Sequence, residues 1–249
     1  MTHNERVLQA VRAALHSEPR FGPLRHVELT FSDGTLTMEG EVQNVAVKKL
    51  LLEHAAAHPD VHGIIDRLRV EPAQRMGDGH IRDLVRDALL QEPALAEVAI
   101  RQREKSKVIT IREPPSAPRG EIFITVEAGV VTLDGMAPSL AHKRLAGVLA
   151  WWVPGSRDVI NGLDIPMPEE DRDEEITDVV RIALEKDPFV DASQLRVTTT
   201  NAVVTLEGLV PKGSERELAE CDAWYVFGVD KVENKIVVRP AEPTGRKGP

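Results

Sequence analysis

The sequence predicts an α+β protein of three tandem modules. Each is ordered helix–strand–strand–helix–strand, a small three-stranded mixed sheet packed against two helices. Three observations predict this. First, the phrase Gly129-Val130-Val131-Thr132-Leu133-Asp134-Gly135 recurs as Gly34–Gly40 (GTLTMEG) and as Ala202–Gly208 (AVVTLEG). A repeat of this kind marks one supersecondary unit per copy and outranks any local motif. Second, each copy is preceded by a helical apolar pattern that runs through an Ala-Leu pair and stops at an acid–proline step: Glu18-Pro19, Glu92-Pro93 and Asp187-Pro188. Third, each copy is followed by a further apolar stretch of helical length and an alternating strand.

The first module covers residues 1–72. Val7, Leu8, Val11, Ala14 and Leu15 predict a helix over 4–17. Val27, Leu29 and Phe31 alternate as a half-buried strand does, Ser32-Asp33-Gly34 supplies a turn, and Leu36 and Met38 line the return strand. Its closing glycine is expected to end that strand. A second helix is expected over 45–58, broken by Pro59, and Ile64, Leu68 and Val70 make the last strand. Residues 73–80 are polar and glycine-containing and read as a linker.

The second module, 80–168, repeats the order with a first helix on Ile81, Leu84, Val85, Ala88 and Leu89, strands at 122–126 and 130–133, a helix at 139–153 and a strand at 158–165. An acidic stretch, 166–175, leads into the third module, 169–240, and suits the positive end of its first helix. That helix carries Ile176, Val179, Val180, Ala183 and Leu184. Strands follow at 195–199 and 203–207, a helix at 213–227 and a strand at 231–238. Asn201 substitutes for glycine in the turn, which accounts for Ala202 in place of a glycine. Residues 241–249 are rich in proline, glycine and charge and are expected to be disordered.

One spacing departs from the repeat. Pro19 precedes Gly40 by 21 residues and Pro188 precedes Gly208 by 20, but Pro93 precedes Gly135 by 42. The second module therefore carries an insertion at about 99–120. It begins with Arg101, Arg103, Lys105 and Lys107, continues through Val108–Ile111 as one short extra strand, and ends in Pro114, Pro115 and Pro118, which forbid regular structure.

Composition excludes several functions. A net charge of -9 argues against a general nucleic-acid binder, which needs a basic face. One cysteine, Cys221, allows no intrachain disulfide. No stretch reaches the ~20 apolar residues of a membrane span, and the N-terminal residues lack a cationic start followed by an apolar core. The chain is thus expected to be cytoplasmic, or periplasmic if an upstream signal was trimmed. No phosphate loop, nucleophile elbow, HExxH or CxxC is present, so no enzyme activity and no cofactor are expected. His54, His58 and His62 recur at four-residue steps, but Pro59 breaks the helix and no cysteine completes a set, so no metal site is assigned.

With Val204-Thr205-Leu206-Glu207-Gly208, Ala219, Ala223, Gly228, Val229, Val232, Asn234 and Ile236, the third module resembles a BON domain. The second matches at Val131–Gly135, Ala146, Ala150, Gly155, Val159, Asn161 and Leu163, with Ser156 replacing an apolar residue. The first matches at Leu36–Gly40, Ala55, Val61, Ile64 and Leu68, with Asp60 in place of the loop glycine and Asp66 in place of the asparagine. The resemblance implies a non-catalytic binding or scaffold protein of a bacterial stress or envelope-associated response, contacting a phospholipid or protein partner. The alternative it implies is a cytoplasmic module responding to an ion or small ligand, of potassium-binding type. Short sheets with exposed edges also leave oligomerisation open.

Candidate binding residues lie where the copies differ. Trp151-Trp152 and Trp224-Tyr225 stand where the first module has Ala56-Ala57, and rings with a polar handle suit a partner surface or lipid headgroups. Their alternative role is to cover the end of their own helix. Arg101, Arg103, Lys105 and Lys107 form the basic patch an anionic surface would meet. The loops of Gly155 and Asn161, and of Gly228 and Asn234, either expose backbone groups to a ligand or simply shape tight turns.

Overall fold

The computed structural model describes residues 2–21, 24, 26–105, 107–166 and 172–239; the expected tail and part of the acidic stretch lie outside them. Module one comprises α1 (His3–His16), β1 (Val27–Ser32), β2 (Thr35–Val42), α2 (Val45–Ala56) and β3 (Gly63–Val70). Module two comprises α3 (Asp78–Gln91), β4 (Val98–Glu104), β5 (Lys107–Arg112), β6 (Gly120–Glu127), β7 (Val130–Met136), α4 (Leu140–Trp151) and β8 (Asp158–Asp164). Module three comprises α5 (Asp173–Lys186), β9 (Leu195–Thr200), β10 (Val203–Val210), α6 (Gly213–Tyr225) and β11 (Lys231–Val238).

The α+β class and the repeated order are those expected. In every module the middle strand of the repeat pairs antiparallel with the strand before it and parallel with the strand after it: β2 with β1 and β3, β7 with β6 and β8, β10 with β9 and β11. The parallel pairing requires a crossover, and the second helix supplies it. Each first helix buries a narrow stripe, such as Val7, Val11 and Leu15 on α1 and Ile81, Val85 and Leu89 on α3.

Three features depart from the sequence reading. The insertion forms two strands, not one, and widens the middle sheet to five in the order β5-β4-β6-β7-β8. Val98, Ala99 and Ile100, just before the basic run, are buried, so β4 enters the core. The Arg112 guanidinium donates to the carbonyls of Leu90, Leu95 and Val98 and so ties β5 to the start of β4.

The closing glycine does not end its strand: β2 continues to Val42 and β10 to Val210. Glycine is required for a different reason. Gly208 has φ +141°, and a Cβ there would stand 2.1 Å from the Gln194 carbonyl oxygen. Gly40 meets His26 in the same way.

The hairpin turns need positive φ at both central residues, the geometry of a two-residue I′ turn. Asn201 and Ala202 both have it, at 51° and 59°, so Asn201 does not relieve Ala202. The first residue of α5 secures the strained turn: the Asp173 carboxylate accepts from the amides of Asn201 (2.7 Å) and Ala202 (2.9 Å). Asp78 of α3 accepts from Ala128 and Gly129 in the same way.

The modules are not beads on a string. Seven of the twelve residues of α2 and eight of the twelve of α4 are buried. A helix apolar on most sides belongs inside a body. Accordingly α2 packs on α6, and α4 packs on both α5 and α6. Modules one and three share one apolar cluster that includes Val148 of α4. Module two keeps a second cluster, and Trp152 packs against both.

Replacing Ala202 with glycine removes the positive-φ penalty and is expected to raise stability by about 1 kcal/mol, read as a higher urea midpoint at unchanged slope.

Candidate functional site: a cleft where three modules meet

The C-terminal ends of α4 and α6 come together at the module boundary. The Trp151 ring stacks on Tyr225, with centroids 5.3 Å apart and planes 17° from parallel. The Trp152 indole donates to Asp222 Oδ1 at 2.9 Å. Trp224 is buried. The aromatic pairs therefore join module two to module three. Sequence spacing places them at equivalent positions, and the structure brings non-equivalent members together.

Beside them lies a cleft of about 720 Å³. Module one contributes Gln43, Asn44 and Glu71; module two contributes Trp151, Trp152 and Ser156; module three contributes Asp187, Phe189, Glu217, Cys221, Asp222 and Tyr225. Four of its lining residues are acidic (Glu71, Asp187, Glu217 and Asp222) and none is Lys, Arg or His.

Asp222 is only 2% exposed. Its Oδ1 accepts from Trp152, and its carboxyl is hydrogen-bonded to that of Asp187. Burial pushes its pKa up to about 8; the Trp152 hydrogen bond opposes the shift, and the neighbouring Asp187 carboxylate adds to it. Asp187 is oriented by the Phe189 amide, which donates to its Oδ1 at 2.8 Å. Burial raises the Cys221 thiol to about 12, so it is no nucleophile near neutral pH. The Tyr225 phenol is also shifted upward by burial.

Buried charges lock the boundary around the cleft. Lys48 bonds Asp158 (2.8 Å) and Asp66 (3.0 Å), and Arg69 also reaches Asp158. Arg144, with no exposed surface, donates from Nε to the Phe227 carbonyl at 2.8 Å. Arg20 pairs with Glu220, and Lys186 with Glu92 at 2.9 Å.

The loop candidates sit elsewhere. Asn161 donates to the Lys143 carbonyl (2.7 Å) and Asn234 to that of Arg216 (2.9 Å), each tying the last strand to the second helix of its module. Gly155 leaves room for Ile81, whose side chain a Cβ would approach to 2.7 Å, and Gly228 adopts φ +93°. In the basic run, Arg101 pairs with Glu113 and Glu121, and the Arg103 guanidinium lies 5.2 Å from the Phe123 ring centre. Lys105 and Lys107 are exposed at the hairpin tip. His54 meets Phe21 edge-on and His58 Nδ1 accepts from the Asp60 amide. Among the described residues no group of three or more His, Cys, Asp or Glu side chains could hold a metal, and no helix is long and apolar enough to cross a membrane.

Residues 3–72, 110–167 and 172–240 each match the BON domain family model. The chain belongs to the BON domain family. The second match begins at residue 110, within the added strands. The BON chain is 30% identical to osmotically-inducible protein Y of Escherichia coli K12 over 122 residues, 47% of this chain and 61% of that protein. It thus spans about six tenths of that relative. Two solved structures of CdsD, a structural protein of the type III secretion system of Chlamydia trachomatis, align at 15% and 16% identity. One is that of its C-terminal domain. They cover 94% and 95% of this chain and 98% and 94% of those chains, with TM-scores of only 0.25 and 0.26.

The raised pKa of Asp222 gives stability a sign against pH. Below the unfolded value near 3.8 both states hold the proton; from there to about 8 only the folded state does. Stability therefore falls as pH rises through this window, by up to about 1.4 kcal/mol per unit. Asp222→Asn keeps the acceptor for Trp152 and is expected to abolish that slope. Urea unfolding of both proteins at pH 5, 6, 7 and 8 measures the difference.

Proposed function

We propose that this BON protein is a non-catalytic binding scaffold of a bacterial osmotic-stress response, and that it responds to a small ligand held between its modules. One observation carries the reading: the cleft takes its walls from all three modules, so an occupant touches each of them. Such a ligand stabilises the joined arrangement by mass action. The osmotic setting is supported by the induction behaviour for which the Escherichia coli relative is named.

The test is thermal unfolding with a panel at matched ionic strength: potassium, calcium and zinc salts, an organic ammonium, an organic carboxylate and a neutral polyol. At least one class is expected to raise the melting temperature saturably. The rise should vanish in a Trp151→Ala/Tyr225→Ala double variant that still unfolds cooperatively. A panel without a saturable shift sinks the reading.

A second reading rests on the β4–β5 tip. Val108, 50% exposed, and Ile109 stand beside Lys105 and Lys107, a mixture suited to an anionic phospholipid surface. Flotation with phosphatidylglycerol vesicles should then be lost in Lys105→Glu/Lys107→Glu. Vesicles that leave the parent protein at the bottom of the gradient exclude this reading.

A further inference from the structure

β5 closes one side of the five-stranded sheet and has a neighbour on one side alone. Antiparallel β4 takes that side, and among the described residues no other hydrogen bond reaches the main chain of 107–112. A row of N–H and C=O groups therefore faces outward, the template on which a further strand pairs. Lys107–Thr110 are all exposed, and they include Val108 (50%) and Ile109 (40%). Adjacent strand residues point to opposite faces of a sheet, so apolar surface is left open on both faces at once. A flat surface laid on one face covers only one of the two. A strand added in the plane of the sheet gives each a cross-strand neighbour.

The other outer strands are guarded. Charges interrupt β1 at Glu28, β3 at Asp66, Arg67 and Arg69, β9 at Arg196, and β11 at Glu233 and Lys235. β8 holds Asn161 and Gly162, both poor strand formers. By contrast Val108-Ile109-Thr110-Ile111 has high strand propensity and no charge, glycine or proline. The ends of this run carry opposite charges. Lys105 and Lys107 stand at one end. Glu113 stands at the other, its side chain 52% exposed, while Arg112 turns its guanidinium inward onto the carbonyls of Leu90, Leu95 and Val98. Parallel pairing of two such strands would set lysine on lysine, which is unfavourable. Antiparallel pairing sets outward-facing residues opposite outward-facing ones, so its two-fold axis passes through a residue. An axis at Ile109 or Thr110 lays the lysine end of each strand beside Glu113 of the other.

We propose that two copies of this chain associate through β5, antiparallel about a two-fold axis, and so join their middle sheets into one. The contact is self-complementary and closed, as a two-fold dimer requires. It goes beyond the ligand reading and does not use the cleft. β4 and the first half of β5 lie ahead of the second BON match, which begins at residue 110, so the surface belongs to the insertion. One pair of short edges buries little area, and the dimer is accordingly weak and concentration-dependent.

Analytical ultracentrifugation of the full chain over a dilution series should show the mass moving from one chain to two as concentration rises. Ile109→Lys, at an exposed edge position, should raise the dissociation constant about tenfold or more with unchanged circular dichroism. Lys105→Glu/Lys107→Glu and Glu113→Lys should each weaken self-association, and an equimolar mixture of the two should restore it. Ile109→Cys or Thr110→Cys should give a disulfide-linked dimer under mild oxidation, and Thr30→Cys on β1 should not; the native Cys221 is buried. A chain that stays monomeric throughout the series overturns the proposal. So does a dimer that Ile109→Lys leaves intact, or one that the mixed charge variants fail to restore, since either marks another surface. These samples hold neither vesicles nor small ligand, so such a failure leaves the cleft and lipid readings to their own tests.

Discussion

Two of the second helices, α2 and α4, are apolar over most of their surface. Val45, Ala46, Val47, Leu50, Leu51 and Ala55 cover most of α2, and Leu140, Leu145, Ala146, Val148, Leu149 and Ala150 cover most of α4. One small sheet can bury only one face of a helix. The other face must meet something, and here it meets the other modules. At roughly 25 cal/mol per Å² of apolar surface, a few hundred Å² left open would cost several kcal/mol, comparable to the whole stability of a small domain.

That constraint explains the buried charges. Lys48, Arg144, Glu220 and Asp222 all lie on second helices, on faces turned toward another module. Lys48 and Asp158, Arg20 and Glu220, and Arg144 and the Phe227 carbonyl each cross a boundary. Burying such groups gains little net stability, because desolvation cancels most of the attraction. Removing one partner is costly, however, so a misplaced module would strand a charge. The apolar faces supply the drive to associate, and the charged pairs select one arrangement. Asp66 shows the trade in detail. It stands where the other modules have Asn161 and Asn234, which donate to a helix carbonyl. An aspartate cannot donate, and Lys48 fills the gap by bonding both Asp66 and the Leu68 carbonyl.

The fold was legible because its determinants are local. Alternation, helical spacing, acid–proline stops and turn residues repeat three times, and each acts within a few residues of itself. The extra edge strand was half legible: the basic run drew attention to residues 101–107, whereas the apolar Val98–Ile100 that makes β4 a core strand looked like an ordinary approach to it. The cleft was not legible as a site. Trp151, Trp152 and Tyr225 were singled out, but what they meet depends on how modules are placed, which no single-module pattern encodes. Asp222 carried a faint signal, an acid between Cys221 and Ala223 in a stretch whose spacing assigns it to the core. The all-round apolar character of α2 and α4 was the larger signal that the modules are fused.

Repetition also limits where a binding site can form. Where three copies are alike, at Gly40, Gly135 and Gly208 or at the strand-to-helix ties, each position answers a backbone requirement within its own module. A ligand that joins modules needs positions freed from that duty. The ends of the second helices are such positions: Ala56 and Ala57 end α2 with little bulk, and Trp151, Trp152 and Tyr225 fill the corresponding space on the neighbours unevenly. Three identical ends would be expected to pack by symmetry or leave equal gaps. The two aromatic ends meet beside a cleft whose remaining wall comes from module one, at Gln43, Asn44 and Glu71. One member of its acidic lining, Asp222, follows from the same asymmetry. The position occupied by Asp222 is His54 in module one and Leu149 in module two, so only one of three equivalent helix positions places a carboxyl against the aromatic wall. Divergence among the copies, on a scaffold that holds their relative places by apolar burial, gives three equivalent helix ends three different surfaces.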